Sequence, residues 1–341
     1  MTVKILPQLA VDIDPDFKGM RFPVWGFRKI DGVRGCHVTG KFTGRSLEDL
    51  ANTALVEKFS HPGYEGFDGE LTIDGYLSNR ALPAHLTTPD KVGDKPKTLC
   101  SLTTGITSRG KLRKGETALP TNVVWNLFDY LHPTVIDLPY EERYAALAAL
   151  LSDPLFEHSI HLLPYVVINN AEEAQAFIDE CLALGYEGAI FRDPKAKHKH
   201  GRATAKLNDF WRFKPASVKD CIINGFEEAM ENQNEAKVNA LGRTERSSHK
   251  ENKVGKGMIG TFLATDVATG EPIRLGPGSS THDQRVHWFN NPTEICGWPA
   301  EYVSLDTGVK DAPRQARFLR RREKTDMPAA EAARRSVPRA Y

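Results

Sequence analysis

The hexapeptide Lys29-Ile30-Asp31-Gly32-Val33-Arg34 constrains this chain more than any other stretch. It sits between two β-type runs, Phe22 to Phe27 and Val33 to Thr39, with Asp31-Gly32 as the turn signal between them. A lysine, a carboxylate, a turn glycine and an arginine are therefore gathered at one hairpin end. Such a cluster suits phosphate chemistry, with Lys29 as candidate nucleophile, but the same six residues also fit a surface β-turn. An ordinary lysine, with a pKa of roughly 10.4, is protonated at neutral pH by about 4.6 kcal/mol. Nearby cations favour the neutral amine; carboxylates oppose it unless a metal ion cancels them. Other parts of the chain must supply those cations.

Further runs follow in order. Phe67-Asp68-Gly69-Glu70-Leu71 offers a carboxylate on a strand, though an Asp-Gly turn followed by an exposed Glu is an equally ordinary reading. Trp125 to Tyr130 reads as an aromatic strand, buried in itself but able to stack a purine on Phe128. Glu187-Gly188-Ala189-Ile190-Phe191-Arg192 places a carboxylate at the mouth of an apolar strand. Trp211-Arg212-Phe213-Lys214 alternates aromatic and basic residues, so a strand puts Arg212 and Lys214 on one face.

Together these runs resemble the successive motifs of the covalent nucleotidyltransferases, the family of ATP-dependent DNA ligases, RNA ligases and mRNA capping enzymes. The resemblance is nearest to the compact bacteriophage DNA ligases. The lysine motif begins near residue 30, from which no preceding helical DNA-binding domain is expected. Ser101 to Gly110 resembles a Gly/Thr/Arg-rich segment of the phage enzymes, and Arg314 to Lys324 looks like the final ligase motif. The resemblance implies that Lys29 is adenylylated, with Asp31 and Arg34 in its immediate surroundings and Arg45 near the nucleotide and the nick phosphate. It implies that Glu70 meets ribose or metal, that Phe128 stacks on adenine, and that Glu187 helps hold Mg²⁺ or Mn²⁺. Arg192, Arg212 and Lys214 are expected to face the phosphates, and Arg317, Arg320 and Arg322 to meet DNA or pyrophosphate. The family usually has Lys where Arg192 and Arg212 stand; arginine does not readily give up a proton, which leaves Lys214 to protonate the leaving pyrophosphate.

The implied fold is α+β: a nucleotidyltransferase domain of antiparallel sheets and helices over 1–216, an oligonucleotide-binding (OB) barrel over 217–328, and a flexible tail over 329–341. Local patterns agree with this division. Helical apolar spacing occupies Leu138 to Leu151 and Ala171 to Leu184, the second framed by Asn170 and Gly185; Ser46 to Asp49 resembles a capped start leading into Leu50 to Phe59. After Pro215 come short strand patterns at Cys221–Phe226, Gly260–Val267, Pro272–Leu275, Pro299–Leu305 and Ala316–Arg321, the spacing of a small barrel. Two segments are expected to lack firm structure: 74–121, read as mobile loops with little core, and 227–256, read as a flexible insertion between the first two barrel strands.

The net charge is only +1, so affinity for nucleic acid must come from local patches. Between Arg192 and Lys214 eight basic residues face two acidic ones, and from Lys310 onward ten face four. Five scattered cysteines without Cys-x-x-Cys spacing argue against a disulfide framework or structural zinc. No apolar run is long enough to span a bilayer, and the start lacks a signal-peptide core. The expectation is a cytoplasmic monomer that acts on nicked duplex DNA with ATP. Gly255 to Gly260 formally matches a dinucleotide fingerprint, but a strand pattern rather than a helix follows it. His198 and His200, set among lysines, read as part of a basic surface. An RNA ligase, a capping guanylyltransferase or a non-catalytic nucleic-acid binder stays open as an alternative.

Overall fold

The computed structural model describes residues 5–13, 16–89, 96–152, 159–204, 207, 209–305 and 313–322. The tail expected over 329–341, and Glu323 and Lys324 of the final motif, lie outside the described residues. The chain divides at Lys214/Pro215 into two compact units.

The first unit is built on two five-stranded sheets. One has the order β1 (Val11–Asp12), β10 (Phe210–Phe213), β9 (Gly188–Arg192), β2 (Val24–Lys29), β8 (Val166–Ile168), antiparallel except for the β1–β10 edge. The other runs β4 (Thr43–Gly44), β3 (Val33–Cys36), β5 (Phe67–Ile73), β6 (Val123–Tyr130), β7 (Ile160–Leu162), with only β6–β7 parallel. Strands β2 and β3 flank Asp31-Gly32 but belong to different sheets, so the turn delivers the chain from one sheet to the other rather than closing a hairpin.

Helix α5 (Ala171–Ala183) covers the first sheet. Its buried face, Ala174, Phe177, Ile178 and Cys181, follows the i, i+3, i+4, i+7 spacing, and the Asn170 side chain caps it by accepting from the Glu173 N–H. On the second sheet the core centres on Trp125, fully buried, ringed edge-on by Phe42, Phe59 and Phe67, with its indole N–H donating to Gly35 O at 3.2 Å. Truncating such a residue costs about 3–5 kcal/mol. Helix α1 (Thr53–Phe59) begins later than expected, because the buried Asn52, not Ser46 to Asp49, supplies the cap to Leu55 N.

The stretch 74–121 is better built than its composition suggests. A short helix α2 (Ala84–Thr87) is followed by α3 (Leu99–Thr107), opened by a reciprocal Thr98/Ser101 capping box and burying Leu99, Thr103 and Ile106. Thr103 belongs in this core because its hydroxyl donates to Leu99 O and accepts from Ile73 N. A fourth helix, α4 (Tyr140–Leu151), packs against β6.

The second unit is a five-stranded barrel: β11 (Ser217–Asn232), β14 (Lys253–Asp266), β15 (Pro272–Leu275), β16 (Pro299–Leu305) and β17 (Arg314–Arg321), in sheet order β15-β14-β11-β16-β17. Gly276 closes the ring by exchanging hydrogen bonds with β17: its N–H donates to Ala316 O and its carbonyl accepts from Phe318 N. With α6 (His282–Asn290) between the third and fourth strands, this is the OB topology. The 227–256 segment is not an unstructured insertion. β11 and β14 continue their antiparallel ladder through it to Asn232↔Lys253, beyond which β12 (Ala236–Val238) pairs with β13 (Thr244–Arg246). No apolar alternation marks the ladder's outer end because much of it faces solvent on both sides. The Gly255–Gly260 run lies inside β14, with no helix after it.

Candidate active site

Two close backbone approaches assemble the site. A Cβ on Gly32 would lie 2.2 Å from Leu71 O and 2.8 Å from Glu70 Cγ, so only glycine lets the Lys29 turn press onto β5 beside Glu70. Gly188, at φ +149°, packs against Phe213 O, where a Cβ would fall at 2.1 Å. This brings the start of β9 against the end of β10, and so Glu187 against Lys214. The ladder sets Lys29 opposite Gly188, and Glu187 N donates to Lys29 O at 2.9 Å.

Glu187 lies between two amines. Lys29 Nζ donates to its Oε2 at 2.5 Å, and Lys214 Nζ donates to its Oε1. Burial pushes this carboxyl up, but Lys29 and Lys214 outweigh burial and hold it below its ordinary range. Glu70 is treated differently. Burial raises it to about 7, reinforced by Glu187 and Asp68 and only partly offset by Lys29 and Arg34. Two carboxylates thus flank Lys29, one matched by fixed cations and one not.

Arg34 stands opposite Glu70 across β3–β5 but grips the buried Asp68, with Nε to Oδ1 at 2.8 Å and Nη2 to Oδ2; Nη1 donates to Gln8 O at 2.8 Å. Burial disfavours its charge, yet Asp68 keeps the guanidinium firmly protonated. The same guanidinium lies 5.3 Å from the centre of the Phe128 ring. Arg45 reaches solvent without a carboxylate partner among the described residues. Partial burial and then Arg34, Arg202 and Arg212 push its pKa down, the mark of crowded cations. Arg212 donates to Asp12 at 2.7 Å. Asp31 is buried in the turn.

The structure thus brings Lys29, Asp31, Arg34, Arg45, Glu70, Phe128, Glu187, Arg212 and Lys214 into one region. Arg192 is the exception and corrects the expectation that it faces the phosphates. It is buried, donates to Asp129 at 2.6 Å and to Gln8 Oε1 at 3.1 Å, and lies over the Tyr140 ring at 3.8 Å. Asp129 also accepts from Arg143 Nε at 2.9 Å, and Tyr140 Oη donates to Phe128 O at 2.7 Å. Arg192 is therefore part of a buried knot behind Phe128. His198 likewise leaves the basic surface: its Nε2 contacts Leu6 O at 2.9 Å, and burial lowers its pKa to about 4.

Sequence reasoning missed Gln8, Asp68, Asp129, Arg143 and Arg202. Asp68 carried a readable signal, since two residues before Glu70 it shares that residue's face of a strand. The presumed turn at Asp68-Gly69 is continuous β5.

In the second unit Glu301, itself buried, accepts from Arg320 and from Arg322, whose Nε lies at 3.0 Å; Arg322 also meets Asp220 at 3.1 Å. Arg317 is exposed. No described helix is long and apolar enough to cross a membrane.

Among protein families, the ATP dependent DNA ligase domain matches residues 7–214. A probable DNA ligase of Mycolicibacterium vanbaalenii is 34% identical over 103 residues, 29% of this chain; the match spans only 18% of that protein's length. A chain from a structure-function analysis of Lig E DNA ligases aligns with TM-score 0.63 at 17% identity, over 93% of this chain and 100% of that one. A second solved chain, Pmar-Lig_Pre, aligns with TM-score 0.61 at 15% identity, over 94% of this chain and 68% of that one. At such identities these two likenesses concern the fold.

Proposed function

The chain belongs to the ATP-dependent DNA ligase family, and from that premise we propose that it uses ATP to seal 5′-phosphate/3′-hydroxyl nicks in duplex DNA. The observation that carries the reading is Glu187 held between Lys29 and Lys214 beside a second, half-buried carboxylate, Glu70. A protein that only binds nucleic acid has no use for that arrangement.

In this reading Lys29 Nζ attacks the α-phosphorus of ATP, an N–P bond forms, and the bond to pyrophosphate breaks. The amine must shed a proton, and Glu187 Oε2 at 2.5 Å is positioned to take it. Lys214 is the group placed to protonate the departing pyrophosphate. An oxygen of the nick 5′-phosphate then attacks the bound AMP, breaking the N–P bond and restoring the lysine. Last, the 3′-hydroxyl attacks the 5′-phosphorus and AMP leaves. Each step is a displacement at phosphorus, so catalysis is positioning and charge neutralisation. Phe128, backed by the Asp129 knot, is the face for adenine, and Arg34, Arg45 and Arg212 serve the phosphates. Arg317, Arg320 and Arg322 of the barrel serve pyrophosphate or DNA.

Glu70 and Glu187 fit a hard divalent cation, Mg²⁺ or Mn²⁺: both are oxygen donors, and Glu70 has no ion-pair partner among the described residues. When bound, the cation neutralises phosphate charge and polarises the α-phosphate. We take residues 1–216 as the catalytic unit and 217–328 as the barrel. We take the protein to act as a monomer, and the free cysteines fit a reducing, cytoplasmic setting.

The test is incubation with α-labelled ATP and Mg²⁺, then addition of a singly nicked DNA duplex. Label that requires Lys29, fails to appear with EDTA, and discharges to give sealed DNA is the expected result. Discharge only on nicked RNA would move the function to RNA joining, and labelling by GTP instead would favour the capping chemistry. No label on folded protein would sink the catalytic reading.

A further inference from the structure

The loop after α3 is a candidate interaction surface separate from the nucleotide site. Arg109, Lys111, Arg113 and Lys114 stand there against one carboxylate, Glu116. That carboxylate is used internally, accepting from Arg109 Nη2 and, at 2.8 Å, from Arg113 N. The side chains of Lys111, Arg113 and Lys114 are left exposed; Lys111 and Lys114 have no carboxylate partner among the described residues, and Arg113 shares Glu116 with Arg109.

The loop is also held in place. Asn52 Nδ2 donates to Pro120 O at 2.8 Å and to Ile106 O at 3.1 Å, and Asn52 N donates to Thr107 O at 3.2 Å. Gly110 lies against Ala51, whose carbonyl a Cβ there would meet at 3.2 Å. Preorganised cations lose less entropy on binding than cations on free chain.

Helix α3 relates this loop to the chemistry. Near its start, Cys100 Sγ lies 3.6 Å from Gly32 O, in the turn that carries Lys29. Ser108, which ends the helix, is eight residues further on, about 12 Å at ~1.5 Å per residue.

We propose that Lys111, Arg113 and Lys114 form a sequence-independent contact with the phosphodiester backbone of the duplex that flanks the nick. This rests on the DNA-joining reading above. The contact supplies affinity and register, and carries no base specificity.

The test is equilibrium binding of a nicked duplex over a range of salt concentrations, comparing wild type with the K111Q/R113Q/K114Q variant. Label incorporation from ATP without DNA reads the folding of each preparation. Every phosphate that the variant fails to neutralise lowers the slope of log affinity against log salt by about 0.9, so a slope reduced by about 2 to 3 is expected. The charge-preserving K111R/K114R variant should keep the wild-type slope. A triple variant that shares the wild-type slope and affinity overturns the role of the loop while leaving the ligase reading intact. Wild-type protein that takes label on Lys29 yet binds no duplex at any salt overturns the DNA-joining reading, and the role of the loop with it.

Discussion

At the scale of single residues, Glu187 is the direct partner of the Lys29 amine. An amine 2.5 Å from a carboxylate that a second lysine also holds has both a partner and an outlet for its proton. Glu187→Gln removes the charge while keeping the shape. Self-adenylylation should slow at least about a hundredfold, or ~2.7 kcal/mol of barrier, in a quenched-flow assay of label incorporation; an unchanged rate would remove Glu187 from the chemistry. Lys29, Glu70, Glu187 and Lys214 were legible in the sequence because each sits in a short run whose glycine or alternation fixes where it points. Arg192 was not. An arginine at the end of an apolar strand reads the same whether it meets solvent, phosphate or, as here, an aspartate on a distant strand. His198 failed for the same reason, and its burial has a consequence for pH. Its folded pKa of about 4 lies below the ordinary 6.5, so the unfolded chain takes up the proton first and stability falls as pH drops from 6.5 towards 4. With ~1.4 kcal/mol per unit, the loss reaches about 3 kcal/mol. Burial, reinforced by Arg192 and Arg143, outweighs Asp129 and the Leu6 carbonyl, which favour the protonated ring. Urea midpoints of His198→Gln should vary less with pH over this window than those of wild type; parallel curves would contradict the assignment.

At the scale of elements, the Asp129 knot joins three parts of the first unit: β6 through Asp129, β9 through Arg192 and α4 through Arg143. Burial alone would raise the carboxyl, but the two guanidiniums hold it well below the usual carboxylate range. Asp129→Asn leaves both buried arginines without their anion and should cost about 3–5 kcal/mol in denaturant unfolding. A loss below about 1 kcal/mol would mean that water satisfies the arginines instead. Elements were readable where an apolar stripe or run marks the burial, as in α5 and β9, and hidden where it does not. The stripe on α3 is interrupted by Thr103, which is buried because its hydroxyl is bonded twice to backbone, a solution that composition does not announce. The outer ends of β11 and β14 are held largely by their shared backbone ladder, so no alternation of side chains marks them.

For the whole molecule, two of the barrel's arginines are already engaged. Arg320 and Arg322 converge on Glu301, and Arg322 also meets Asp220. The pair pulls the Glu301 carboxyl below its ordinary range, so it stays charged at neutral pH and competes with any phosphate for the same guanidiniums. A triphosphate or a DNA backbone must therefore displace a carboxylate before Arg320 and Arg322 contribute to binding. Glu301→Gln keeps an acceptor and removes the competing charge. If Arg320 and Arg322 act on the leaving pyrophosphate, this variant should lower the KM for ATP in self-adenylylation several-fold, although the barrel itself unfolds at a lower temperature for want of the ion pairs. An unchanged KM alongside a lower melting temperature would confine the two arginines to holding β16 against β17, and would leave the first unit to handle ATP without them.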